Sequence, residues 1–134
     1  MSDSNIPSEV RDFVFDYIDS VEQLEVLLLI SSDDKRSWNS DELNNVIKSN
    51  VNSIEKRLSL LTSQRLIKKD ENSKYYFSPE NTSLVMTVSR LAQVCKSHRH
   101  KIYEIVFSPM KKSRDFADAF KIVASKNHKG DQNG

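Results

Sequence analysis

Apolar positions along the chain recur with helical period in six stretches and with strand character in two. The first stretch opens at Pro7, which suits a first helical turn, and sets Val10, Phe13, Val14, Tyr17 and Ile18 on one face. Ser20 followed by Gln23 carries the signature of a capping box, and it heads a second helix with Val21, Leu24, Leu27, Leu28 and Ile30 expected inside. These N-terminal helices occupy 7–32. A third helix begins at Asn39, whose side chain can cap it while Glu42 reaches back, and Leu43, Val46 and Ile47 fall on one face. The polar run Lys48-Ser49-Asn50 breaks the pattern. A fourth helix, 51–64, then buries Val51, Ile54, Leu58 and Leu61 at three-four spacing.

Two short strands follow at once, Leu66 to Lys69 and Lys74 to Phe77, joined over Asp70 to Ser73. Asn81 or Thr82 can cap a long helix, 82–107, that Pro109 stops. Along it Leu84, Val88, Leu91, Cys95, His98, Ile102 and Ile105 alternate spacings of four and three, the seam of a helix laid lengthwise on another. Val85, Ala92, Val94, Tyr103 and Val106 widen that face, so it can meet the chain's own N-terminal helices, a second copy, or both. A last helix is expected over 113–123, with Phe116, Ala117, Phe120 and Val123 on one side. Residues 125–134 have nothing to bury and are expected to be disordered.

The segment 38–79 resembles the winged helix of bacterial regulators and is similar in layout to the multiple-antibiotic-resistance (MarR) and PadR types. The likeness rests on Asp41-Glu42-Leu43, on Ser53-Ile54-Glu55-Lys56-Arg57-Leu58, and on Leu61 with Gln64-Arg65-Leu66-Ile67. It implies a mainly α fold with a small β-hairpin wing, a winged helix-turn-helix with extra N- and C-terminal helices forming one domain over 1–124. It further implies that Trp38 pairs with the wing in a very short strand, filling the junction as a core residue rather than stacking on a base. Dimerisation through helices outside the winged unit is also implied, with the seam of 82–107 as the dimer contact. At one position the sequence departs from these families. Where they have Gly before the first wing strand stands Arg65, so either left-handed strain is tolerated or the helix ends by another geometry.

Composition narrows the chemistry. The single cysteine, Cys95, excludes an internal disulfide and a multi-cysteine zinc site, and no apolar run approaches the ~20 residues of a membrane span. The polar, acidic start is unlike a secretory signal, so the expected location is cytoplasmic, with no membrane partner. Both glycines, Gly130 and Gly134, lie near the end, which leaves no glycine-rich loop to cradle a phosphate. Residues 1–34 hold nine acidic residues and one basic, net −8, while 35–134 hold ten acidic and nineteen basic, net +9. Such asymmetry points either to a polyanionic partner or to acidic helices offsetting basic ones within the fold.

Opposite the apolar stripe of 51–64 lie Asn52, Lys56, Ser59 and Ser63, flanked by Ser53 and Glu55. Asn and Lys can bond base edges in a major groove, and Ser can bond bases or phosphates. The expected base-facing set is Asn52, Ser53, Lys56 and Ser59, and the expected phosphate set is Arg57, Arg65, Lys68, Lys69 and Lys74. Glu55 and the acidic wing tip Asp70-Glu71 oppose that reading, as does the modest net charge of +2 over 39–78, seven basic against five acidic. Cys95 and His98 read as a buried thiol and a satisfied seam histidine, with His100 pointing away from both, rather than a metal site, and no catalytic constellation is visible, so neither metal, cofactor nor enzyme activity is expected. The expectation is a DNA-binding transcriptional regulator, probing double-stranded DNA with 51–64 as a homodimer. The alternative is a winged-helix adaptor that holds another protein without binding DNA.

Overall fold

The computed structural model describes residues 6–109, and the helix expected at 113–123 and the tail at 125–134 lie outside the described residues. The described elements are α1 (Ser8–Tyr17), α2 (Val21–Ser31), α3 (Ser40–Ile47), α4 (Val51–Ser63), β1 (Ile67–Lys69), β2 (Tyr75–Phe77) and α5 (Thr82–Val106). Helix α2 lies at the centre and touches α3, α4, α5 and β2, while α5 runs along α1. The core between them is built from fully buried aliphatic side chains, among them Ile18, Leu24, Leu27, Ile30, Leu43, Ile54, Leu58, Leu61, Leu66 and Leu91. Each such side chain contributes about 1.5–3 kcal/mol by leaving water.

Local signals set most boundaries. Asn39 Oδ1 accepts from the Glu42 backbone N–H at 2.8 Å while Glu42 Oε1 accepts from the Asn39 N–H at 2.9 Å, so the capping box at α3 is complete. The break between α3 and α4 falls on Lys48, Ser49 and Asn50, with Asn44 capping back onto the Ser49 N–H and Asn50 forward onto Ser53. Asn81 caps α5. At α2 the expected box is altered. Ser20 Oγ accepts from Gln23 N–H, but the Gln23 amide accepts from the Asp19 N–H at 2.6 Å instead of turning to Ser20. Its Nε2 donates to the Tyr17 carbonyl at 2.7 Å and to Gln64 Oε1 at 3.1 Å, while Gln64 Nε2 donates to the same carbonyl at 2.8 Å. Gln23 is wholly buried, so this amide joins the end of α1, the head of α2 and the cap of α4.

Helix α4 ends in a Schellman arrangement, with Arg65 N–H on the Thr62 carbonyl at 3.0 Å and Leu66 N–H on that of Leu61 at 3.1 Å. Arg65 takes the left-handed conformation, φ 63°, so the chain accepts the strain that a glycine would avoid. The hairpin pairs Ile67 with Phe77, Lys68 with Tyr76 and Lys69 with Tyr75. On the other edge Trp38 exchanges both backbone hydrogen bonds with Tyr75, at 2.8 and 2.7 Å, making the one-residue third strand that the resemblance implies.

Two placements differ from the periodicity. Val46 is 57% exposed, because α3 packs mainly on α4 and α2 and Val46 lines an open cleft with Leu28, Leu29 and Arg99 instead of entering the core. In α5 the backbone leaves helical geometry at His98 (φ −138°, ψ 37°), yet Cys95 and Ile102 on either side of it stay in the expected seam, and only at the end of the helix does Val106 replace Ile105 inside. Before the break Thr87, Val88, Leu91 and Cys95 are buried; after it come Ile102 and Val106, with Ile105 only half-buried.

Candidate nucleic-acid interface

Ile54, Leu58 and Leu61 turn α4 toward the core, which leaves Asn52, Lys56, Ser59 and Ser63 exposed on the opposite side. Asn52, Lys56 and Ser59 have no side-chain partner among the described residues and are free to meet a ligand. Ser53 and Arg57, one turn apart, face α2 instead. There the Glu22 carboxylate accepts from Ser53 Oγ, from Ser49 Oγ and from Arg57 Nε, the last at 2.8 Å. Burial pushes the Glu22 carboxyl up, but the donors Ser49, Ser53 and Arg57 outweigh it and hold the group below its ordinary value. Consecutive residues of α2 thus grip both ends of α4, Glu22 near its start and Gln23 at its cap.

The remaining cations separate into bound and unbound. Arg65 pairs with Glu80 at 3.0 Å, both side chains well exposed, and Lys74 approaches Glu42 at 3.9 Å. Lys69 lies 5.7 Å from the centre of the Tyr75 ring. Lys68, on the outward side of β1, has no ion pair among the described residues, like Lys56 on α4. Farther off, Glu9 pairs with Arg90 and Glu25 with Arg99, so part of the acidic first third does offset basic residues within the fold.

At the wing tip, Asp70 is committed to its own turn. Its carboxylate accepts from the Lys74 and Asn72 backbone N–H groups at 3.0 and 2.8 Å, and the Lys74 bond above all holds it below the usual carboxylate range. Ser73 completes the turn in the left-handed conformation that usually selects glycine. Glu71 is the outward acid at the tip.

Of the seam residues in α5, Val88, Leu91, Cys95 and Ile102 are buried by the chain's own core, whereas Leu84, His98 and Ile105 are half-exposed. Val85, Met86 and Phe107 add exposed apolar surface to this helix. Burial raises the Cys95 thiol to about 11. His98 bonds only its neighbour Ser97, at 2.7 Å, and His100 approaches Glu104 at 3.4 Å, so these two and Cys95 do not converge. Glu22, Glu42 and Glu80 are the site residues that sequence reasoning missed. Glu42 was visible only as a cap, and the partners of Glu22 are 27, 31 and 35 positions away, where no local pattern signals them.

A helical pair crossed at a short turn, a two-stranded wing behind it and a single-residue strand against the wing define a winged helix-turn-helix. Among the solved structures similar to it are the reduced form of MarR from E. coli, and MepR, a transcription regulator of the Staphylococcus aureus multidrug efflux pump MepA. MarR aligns over 86% of this chain and 82% of its own, with a TM-score of 0.51 and 15% identity. MepR aligns over 88% of both chains, with a TM-score of 0.51 and 12% identity. The chain therefore has the fold of these MarR-type winged-helix proteins. No protein-family model matches the sequence, and no curated protein matches it. Among the described residues no helix is long and apolar enough to cross a membrane.

Proposed function

We propose that this protein is a DNA-binding transcriptional regulator that lays α4 in the major groove of double-stranded DNA. The observation that carries the reading is the exposed side of α4, polar throughout, with unpaired Lys56 on it and unpaired Lys68 on the adjoining wing. Asn52, Lys56 and Ser59 meet base edges, and Ser53 joins them by leaving Glu22. Lys68 and Lys69 meet phosphates directly. Arg57, Arg65 and Lys74 do so by exchanging Glu22, Glu80 and Glu42 for phosphate oxygens. The fold shared with MepR, a transcription regulator, supports the same reading.

A second copy joins through the part of α5 that the core leaves open, Leu84, Val85, Met86, His98, Ile105 and Phe107. Two α4 helices then address half-sites about 34 Å apart. One observation favours the adaptor reading: three of the five candidate phosphate contacts are already satisfied by carboxylates. The test is fluorescence anisotropy of labelled mixed-sequence duplex at about 50 and 200 mM salt. Binding that weakens steeply with salt, drops for all sequences in Lys68→Ala and loses sequence preference in Lys56→Ala supports the regulator. Absence of binding at the lower salt, with the protein folded, supports the adaptor.

A further inference from the structure

We infer that Glu55 is a specificity residue, selecting cytosine at one position of each half-site. The inference rests on the DNA reading above and concerns the one feature of α4 that argues against it. Glu55 is exposed, next to Lys56 and one turn before Ser59. Glu9, Glu22, Glu25, Glu42 and Glu80 each have an arginine or lysine within ion-pair distance, whereas Glu55, like Glu71 at the wing tip, has none among the described residues, and it is the one of the two that lies on α4. Its carboxylate instead accepts from Ser40 Oγ at 3.3 Å. Ser40 is the first residue of α3, so one oxygen of Glu55 is tied by a hydroxyl to the first turn of that helix, and the other has no partner among the described residues.

An ionised carboxylate can only accept hydrogen bonds. In the major groove guanine presents two acceptors and thymine one, and adenine sets its amino group beside the N7 acceptor. Cytosine alone offers an amino donor with no acceptor on the same base. Against guanine or thymine Glu55 meets only lone pairs, against adenine it meets the N7 lone pair beside the amino group, and the phosphates repel it throughout, so it disfavours sequences that lack the cytosine. The charge that lowers general affinity for DNA is thereby a device of discrimination, with Ser40 as its positioning residue.

The test selects duplexes from a randomised pool with the wild-type protein and measures the selected site and its single-base variants by anisotropy. At one position cytosine is preferred by roughly ten-fold or more. Glu55→Gln moves that preference to adenine, whose N6 and N7 an amide can bond together, and Glu55→Ala removes it. Both variants bind mixed-sequence DNA at least as tightly as the wild type. Ser40→Ala narrows the cytosine preference without changing the salt slope, and Ser40→Thr retains it. A wild-type site with no such position, or a cytosine preference that persists in Glu55→Ala, overturns the inference and leaves the regulator reading intact. A folded wild-type protein that binds no duplex overturns the regulator reading, and this inference with it.

Discussion

Replacing Gln23 by Leu preserves most of the side-chain volume and deletes an amide that makes three hydrogen bonds inside the protein. The consequences differ among its partners. The Tyr17 carbonyl keeps its second donor, Gln64 Nε2, at 2.8 Å, and Gln64 is half-exposed, so its oxygen can turn to water. The Asp19 N–H loses its acceptor. Asp19 itself is exposed, so that N–H is not a fully buried orphan, and at about 1 kcal/mol for each net hydrogen bond lost, the three bonds place Gln23→Leu at about 2–3 kcal/mol of destabilisation. Gln64→Ala removes one donor from a carbonyl that retains another and should cost about 1 kcal/mol. Urea titration followed by far-UV circular dichroism measures both, and thermal melting should show Gln23→Leu lower by about 10 °C. A double-mutant cycle should return a coupling of about 0.5–1 kcal/mol, because the two amides share Tyr17. If Gln23→Leu is neutral or stabilising, the amide is not a tie between α1, α2 and α4, and the argument that α2 grips both ends of α4 fails.

Arg65→Gly should stabilise the fold. Removing left-handed strain gains about 1–2 kcal/mol, offset by about 0.4–1 kcal/mol of unfolded-state entropy and a small loss from the exposed pair with Glu80, for a net gain of up to about 1 kcal/mol by thermal melting. The Glu22 carboxyl is held below its ordinary 4.5, so its stabilisation is complete above that value and is lost as pH falls through the lower folded one. Glu22→Gln should therefore flatten the acid limb of stability against pH, and an unchanged acid limb would refute the clamp. Cys95, with its thiol raised to about 11, should react with a disulfide reagent at pH 8 far more slowly in the folded protein than in denaturant.

The elements that could be read from the sequence are those whose signals lie within a few residues of one another. The Asn39 and Glu42 box, the break at Lys48 to Asn50 and the cap at Asn81 are all local contacts. The pairing of Trp38 with the wing came from the resemblance, since nothing near Trp38 specifies Tyr75. Periodicity held along most of the helices and failed at particular positions, as at Val46, which lines an open cleft, and at the end of α5, where Val106 is buried in place of Ile105. The exposed side of α4 was legible because it is the complement of a buried stripe. What Ser53 and Arg57 bond was not, because that depends on how α2 crosses α4.

The chain's only tryptophan is seated at the junction of wing and helices, 5% exposed, with the Arg36 guanidinium 3.4 Å above its ring. Its indole N–H has no hydrogen-bond partner among the described residues, and its backbone is stitched to Tyr75 on the wing. A shielded indole emits toward the blue, and loosening the wing would admit water and redden it. The molecule thus carries its own optical gauge of wing position, readable with unlabelled protein and any candidate duplex, and undiluted by a second tryptophan.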